Sequence, residues 1–349
     1  FIWDKYSDQP YPIKDKSYKK AMRKKHIKDY IPLTITNLFM FPFSVLTMKF
    51  FPAKKEYLEN KVDFYGLGVN LDKGELQKEL VEELRVKSLI IRIPLSDIQN
   101  IEKYYEFVKG FGDDKKILLN LMQDRENIDN IELLKSNIDI VFNTFKDITD
   151  EYQIGTTINR TKWGFFSIKE YLKFYRIVQD IRDDKYHTIK LIGPSVIDFE
   201  YHYTIRALFN NFNIKFDKLS SLLYVDRRGA PTNTQMGIFD TKNKIDMLYS
   251  LVKLSPKCKT DEIYITEVNW PLSGTAPYAP TSELECVSED DYSKYMVEYF
   301  DIAKKSGKVS KVYWHQLIAP GYGLVDNRDG KIRKTKAFYE FKKLIESIQ

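Results

Sequence analysis

The chain has 349 residues, 43% of them apolar and 14% aromatic, which excludes wholesale disorder and supplies a sizeable core. Its net charge is +6, but Lys14, Lys16, Lys19, Lys20, Arg23, Lys24, Lys25 and Lys28 against Asp15 concentrate the excess between residues 14 and 28. The remainder is near neutral and lacks the basic surface that a nucleic-acid-binding domain needs. Two cysteines, Cys258 and Cys286, are too few for a disulfide framework, and four scattered histidines form no zinc pattern. "YGLGVN" at 65–70 has the wrong glycine spacing for a dinucleotide loop. Neither a metal nor a cofactor is expected.

The first 62 residues read as an extension that packs outside the main domain. The chain opens on Phe1 rather than a methionine, as a fragment or processed form would. After the basic run comes "PLTITNLFMFPFSVLTMKFFP" (32–52), mostly apolar but broken by Asn37, Pro42, Ser44 and Lys49. Its uninterrupted part is shorter than the roughly 20 residues of a spanning helix. A hydrophobic arm against the main domain and an interfacial element on an anionic membrane surface, through residues 14–52, are compatible readings.

From residue 63 to 349 the pattern is regular. Eight short apolar runs recur: "DFYGLGVNL" (63–71), "SLIIRIPL" (88–95), "KILLNLMQD" (116–124), "EYQIGTTIN" (151–159), "TIKLIGPSV" (188–196), "LSSLLYVD" (219–226), "EIYITEV" (262–268) and "KVYWHQL" (311–317). Charged stretches of helical period separate them, such as "SEDDYSKYMVEYFDIAKKSG", which opens on a Ser N-cap and ends at Gly307. Eight strand–helix units predict a closed (β/α)₈ TIM barrel with an N-terminal basic and apolar extension. A doubly wound open sheet is the rival, without the glycine-rich first turn it needs.

In such a barrel chemistry sits at the C-terminal ends of the strands. There the sequence places Asn70, Arg92, Asp124, Thr156, Thr157, Asn159, Asp198, Glu200, Asp226, Glu267, Trp314, His315 and Gln316. Carboxylates, paired polar groups and indoles converging on one cavity match a sugar, whose CH faces stack on aromatics. Arg160 and Lys162 in "NRTKWG", with Trp163, and Arg227 and Arg228 in "YVDRRGAP" could grip a phosphate or an acidic sugar. The long loop "PLSGTAPYAPTSELECVSEDD" (271–291) reads as a rim or lid.

These strand ends resemble the clan A glycoside hydrolases, retaining enzymes on (β/α)₈ barrels. The resemblance implies Glu267 of "ITEVNW" as nucleophile, Arg92 of "IRIPL" beside it, and Trp314 of "VYWHQL" against the sugar. Trp270, Asn159, Arg160, Trp163, Asp226, Arg227 and His315 complete the expected substrate-binding set. Strand four departs from the family: "IGTTINRTKWG" carries Thr156 and Thr157 where Asn and the acid/base Glu are expected. A hydroxyl cannot supply that proton.

Three readings stand. Another carboxyl, Glu200, Asp226 or Asp124, serves as acid, Asp226 being weakened by its flanking arginines. Alternatively a transglycosylase or glycosyltransferase uses an activated, phosphate-linked donor that leaves as a stable anion. In the third, the barrel only binds glycans. With the extension, the expected substrate is a bacterial cell-surface glycan or lipid-linked sugar, in lipopolysaccharide or polysaccharide metabolism. The expected location is cytoplasmic, peripheral at the inner membrane.

Overall fold

The eight apolar runs become eight parallel strands because each is covered on both faces, which favours continuous apolar sequence over alternation. The computed structural model describes residues 2–59 and 61–348. The strands are β1 Tyr65–Val69, β2 Ser88–Pro94, β3 Lys116–Met122, β4 Glu151–Ile154, β5 Lys190–Ile197, β6 Lys218–Leu222, β7 Ile263–Val268 and β8 Lys311–Trp314. They close in sequence order, with β8 pairing to β1. Each is followed by a helix: α3 Leu76–Leu84, α4 Ile101–Lys109, α5 Ile131–Phe145, α6 Ile168–Lys185, α7 Tyr201–Leu208, α8 Thr241–Leu254, α9 Glu289–Lys305 and α10 Lys336–Glu346. Two long helices precede the barrel, α1 Lys16–Lys25 and α2 Tyr30–Thr47, followed by a single helical turn, Lys55–Leu58.

The core has two parts. Ile90, Leu118, Ile192, Tyr264 and Tyr313, each from a different strand, form a small cluster inside the barrel. The larger cluster lies between strands and helices and contains Trp270 and Trp314. This follows from alternation: Tyr313 faces the interior, so its neighbour Trp314 faces the helices.

β7 breaks its own alternation. Lys311, Val312 and Trp314 of β8 lie opposite Tyr264, Ile265 and Val268, so β7 carries one extra residue between Ile265 and Val268. A bulge of this kind re-aims a side chain. Glu267 and Asn269 come to line the cavity at the barrel mouth, while Val268 and Trp270 join the outer core.

The extension does not pack only outside. α2 does: it runs against α7 and α8, with Phe41 stacked on Tyr201 at 4.3 Å and Asn37 Nδ2 donating to the His202 carbonyl at 2.9 Å. It starts near Phe166, at the end carrying the strand C-termini. The following segment reaches the opposite end, where the Lys54 N–H donates to the Gly307 carbonyl. Of the interruptions read in the sequence, Asn37, Pro42 and Ser44 lie inside this helix without ending it, and Lys49 lies beyond its last residue, Thr47. Thr34, Ser44 and Thr47 hydroxyls donate to carbonyls four residues back, and Asn37 bonds Leu33 and His202. Residues 2–10, by contrast, cross the mouth of the barrel as a small hairpin pairing Trp3 with Pro10 and Asp4 with Gln9.

Candidate active site

Glu267 stands at the centre of the mouth. Its Oε2 accepts from Arg92 Nη2 at 3.1 Å, and its Oε1 accepts from the Tyr224 hydroxyl at 2.5 Å. The Arg228 guanidinium lies over the Tyr224 ring at 3.6 Å. Burial alone would raise the Glu267 carboxyl, but His315, Arg92 and the Tyr224 hydrogen bond hold it below the ordinary carboxylate value. Tyr224 is pushed well above its ordinary value by burial and by Glu267, so it stays a neutral donor. An ionised carboxylate is thus fixed by two donors.

His315 and Asp8 complete the arrangement. Arg92 Nη1 donates to Asp8 Oδ2 at 3.0 Å, and Gln316 Nε2 donates to the same oxygen at 3.1 Å. Burial opposes the Asp8 charge, yet Arg92, Lys73 and His315 keep it ionised below the ordinary range. One guanidinium therefore holds two carboxylates, Asp8 buried and Glu267 partly so. His315 Nε2 lies 3.2 Å from Arg92 Nη2; a guanidinium can only donate, so the imidazole proton resides on Nδ1. Nδ1 is 4.0 Å from Glu267 Oε2.

Burial drives the His315 pKa down to about 4. Between pH 6.5 and 4 the unfolded chain then takes up a proton that the folded chain refuses. Stability should fall by up to about 3 kcal/mol as pH drops through that window. His315→Gln should flatten this part of a plot of Tm against pH.

These groups line a chamber of about 170 Å³, bordered also by Thr157, Arg160, Lys162, Trp163 and Asp198. Pro280 and Thr281 of the loop after β7 close one side, in keeping with a rim. A larger cavity of about 580 Å³ adjoins it, lined by Trp3, Pro94, Tyr104, Met122 and Asp124 among others. The two share Asp8, Arg92, Lys162 and Trp163. Trp3 meets Trp163 edge-on at 5.7 Å, and Lys162 Nζ donates to Gln9 Oε1 at 2.6 Å. The hairpin is therefore part of the wall.

Of the residues expected here, Glu267, Arg92, Arg160, Trp163 and His315 border the chamber. Trp270 and Trp314 do not. Both are 0% exposed and stack on each other at 5.9 Å in the strand–helix layer; their indole N–H groups donate to the Gly229 carbonyl and the Tyr292 hydroxyl. Asn159 does not either. Its amide exchanges hydrogen bonds with the Ile197 backbone and donates to Glu200, which locks the loops after β4 and β5 together.

Glu200 is itself held by Asn159 and Arg160 and lies off the chamber wall, as does Asp226. Asp124 borders the larger cavity but caps a short helix through the Asn127 N–H. Arg227 is exposed in a left-handed turn, φ 48°, and its neighbour Arg228 takes the inward place. Sequence reasoning passed over Asp8 and Tyr224. Tyr224 follows an apolar strand at the correct end, which is a usable signal; nothing local marks Asp8.

Solved structures share this architecture. The GH39 enzyme from Xanthomonas axonopodis pv. citri matches with a TM-score of 0.60 at 12% identity, over 84% of this chain and 67% of that one. A GH39 β-xylosidase from Caulobacter crescentus gives 0.60 at 12%, covering 82% and 71%. The GH51 arabinofuranosidase from Xanthomonas axonopodis pv. citri gives 0.54 at 13%, covering 83% and 73%. The (β/α)₈ barrel fold is shared with these glycoside hydrolases. No protein-family model and no curated sequence matches the chain. What the shared fold contributes is the placement of strand ends around one mouth.

Proposed function

We propose that the protein is a glycoside hydrolase-like enzyme in which Glu267 attacks the anomeric carbon of a sugar held in the chamber, forming a covalent glycosyl–enzyme intermediate. The supporting observation is the Glu267 carboxylate itself: ionised, largely shielded from solvent, fixed by Arg92 and Tyr224, and facing the cavity at the barrel mouth. Attack moves negative charge off Glu267, and Arg92 and Tyr224 hold the carboxylate in line while it reacts. The neighbours named as β-xylosidase, arabinofuranosidase and glucosidase guide the substrate panel: β-xylosides, and arabinofuranosides and glucosides of both anomeric configurations, each as aryl glycosides and as 2-fluoro glycosyl fluorides. Intact-protein mass spectrometry should find a single adduct, mapped by digestion to Glu267. No adduct and no turnover across the panel would leave a glycan-binding barrel.

A second reading, with a phosphate-linked donor, is favoured by one observation. Besides Glu267, the carboxylates on the chamber wall, Asp8 and Asp198, are both paired with guanidinium groups, and a leaving group that departs as a stable anion needs no proton from either. Glycosyl phosphates belong in the same panel.

We also propose that α1 and α2 hold the enzyme on an anionic membrane. Leu38, Phe39, Leu46 and Phe50 are 69%, 68%, 71% and 76% exposed, and Ile31, Ile35 and Phe43 continue the same stripe. The segment Ile27–Thr47 is long and apolar enough to cross a bilayer, but its contacts with α7 and α8 favour lying along the surface. The basic residues of α1 then meet lipid phosphates. A lipid-linked or surface glycan would be within reach. Replacing Leu38, Phe39 and Leu46 by Ser should weaken co-sedimentation with phosphatidylglycerol-containing vesicles at least 10-fold, with Tm little changed because these side chains face outward. Unchanged binding would end the membrane reading.

A further inference from the structure

The boundary between the two cavities carries four side chains: Asp8, Arg92, Lys162 and Trp163. A bond cleaved between a sugar in the Glu267 chamber and a leaving group in the larger cavity must cross this boundary. Something there has to meet the departing oxygen. Asp8 is kept ionised by Arg92 and Lys73, a guanidinium does not titrate, and an indole N–H is no acid. One group remains.

Lys162 differs from every other cation on the chamber. Arg92 pairs with Asp8 and Glu267, Arg160 with Asp198 and Glu200, and Arg228 with Asp198. Among the described residues no carboxylate lies within ion-pairing distance of Lys162 Nζ, which is steered by the Gln9 side-chain amide oxygen at 2.6 Å. The charged groups that bear on it are Arg160, Asp4 and Asp198; burial and Arg160 lower its pKa from the ordinary lysine value, and the two aspartates oppose them. An unpaired, half-buried ammonium with a lowered pKa has a proton to give. It also sits five residues after Thr157, on the loop that follows β4.

We propose that Lys162 is the general acid of the proposed glycosyl transfer. This rests on the reading of Glu267 as nucleophile. In the first step a Glu267 carboxylate oxygen bonds to the anomeric carbon and the bond to the leaving oxygen breaks. Its electron pair takes a proton from the Lys162 ammonium, giving a free alcohol and a neutral amine. In the second step that amine accepts a proton from water as the water oxygen attacks the anomeric carbon. The Glu267–carbon bond breaks, and both carboxylate and ammonium are restored. Gln9 orients the nitrogen, which gives the hairpin a part in the chemistry.

The test is Lys162→Met and Lys162→Arg on the aryl glycoside series from 2,4-dinitrophenyl to phenyl, with thermal melts to verify folding. Lys162→Met should lower kcat/KM on phenyl glycosides by about 10²–10⁴-fold, the range for loss of general-acid help. The loss on dinitrophenyl glycosides, which depart without a proton, should be far smaller. Lys162→Arg should not rescue the phenyl substrates, because arginine keeps its proton. An equal loss across the series, or none, overturns the proposal. So does a wild-type enzyme that turns over only glycosyl phosphates, with Lys162→Met acting through KM alone. The nucleophile reading fails separately, through the absence of any Glu267 adduct in the unmodified enzyme, and the proposal falls with it.

Discussion

Glu267→Gln is expected to cut turnover by on the order of 10⁴-fold or more, the scale seen when a covalent nucleophile is removed, and to abolish the adduct. The fold should survive. An amide of the same shape still accepts from Tyr224, and Arg92 keeps Asp8 at 3.0 Å, so no buried charge is orphaned. The loss of stability should therefore stay below the 3–5 kcal/mol of a broken buried pair. Its pH dependence has a definite sign. The Glu267 carboxyl is depressed in the folded chain, so its contribution is present above the unfolded carboxyl value and disappears as pH falls through the folded one. The Tm difference between Glu267→Gln and wild type should be largest near neutrality and close toward acid. A difference independent of pH would place Glu267 outside this network.

Arg92→Met is expected to act on stability as well as rate. Removing the guanidinium leaves buried Asp8 and partly buried Glu267 with no shared cation, and the loss should approach the roughly 3–5 kcal/mol of a broken buried pair. Gln316 still donates to Asp8 and Tyr224 to Glu267, and Lys73 Nζ stays 3.9 Å from Asp8, which limits the damage at Asp8 more than at Glu267. With the shared cation gone, less opposes burial at either carboxyl and both rise from their wild-type positions, so the destabilisation relative to wild type should be greater at pH 8 than at pH 5. Thermal unfolding at the two pH values measures it. Adding Asp8→Asn to Arg92→Met should recover part of the loss, because one of the stranded charges is gone. No recovery would mean that Asp8 and Arg92 are not coupled.

The eight strands were legible because parallel barrel strands are covered on both faces and read as unbroken apolar runs. Strand ends then pointed to Arg92, Glu267 and His315 without any knowledge of distance. The indoles misled. Trp270 and Trp314 are adjacent in sequence to mouth residues, but alternation in β8 and the bulge in β7 turn them toward the helices. One extra residue, invisible in a single sequence, decides which of Glu267 and Trp270 faces a substrate. Asp8 was illegible for another reason. Its hydrogen bond with Gln316 joins residues 308 positions apart, and nothing local in "KYSDQP" encodes a partner at the far end of the chain. Lys162 was visible as a basic loop residue, but its lack of a carboxylate partner is a property of the assembled mouth.

The placement of α2 has a consequence for how the chain is made. Its anchoring bond from Asn37 reaches forward 165 residues to His202, and the α8 surface beneath its C-terminal half is later still. At about 5–20 residues per second, roughly 8–33 s of synthesis separate the emergence of Asn37 from that of its partner. During that interval both faces of α2 are bare, the one destined for the barrel and the one that stays exposed, with the basic α1 beside them. The apolar stripe proposed above to meet lipid is therefore complete before the α7 and α8 surfaces that receive the other face of α2 exist, so the order of synthesis makes docking of α2 a late step in assembling the barrel.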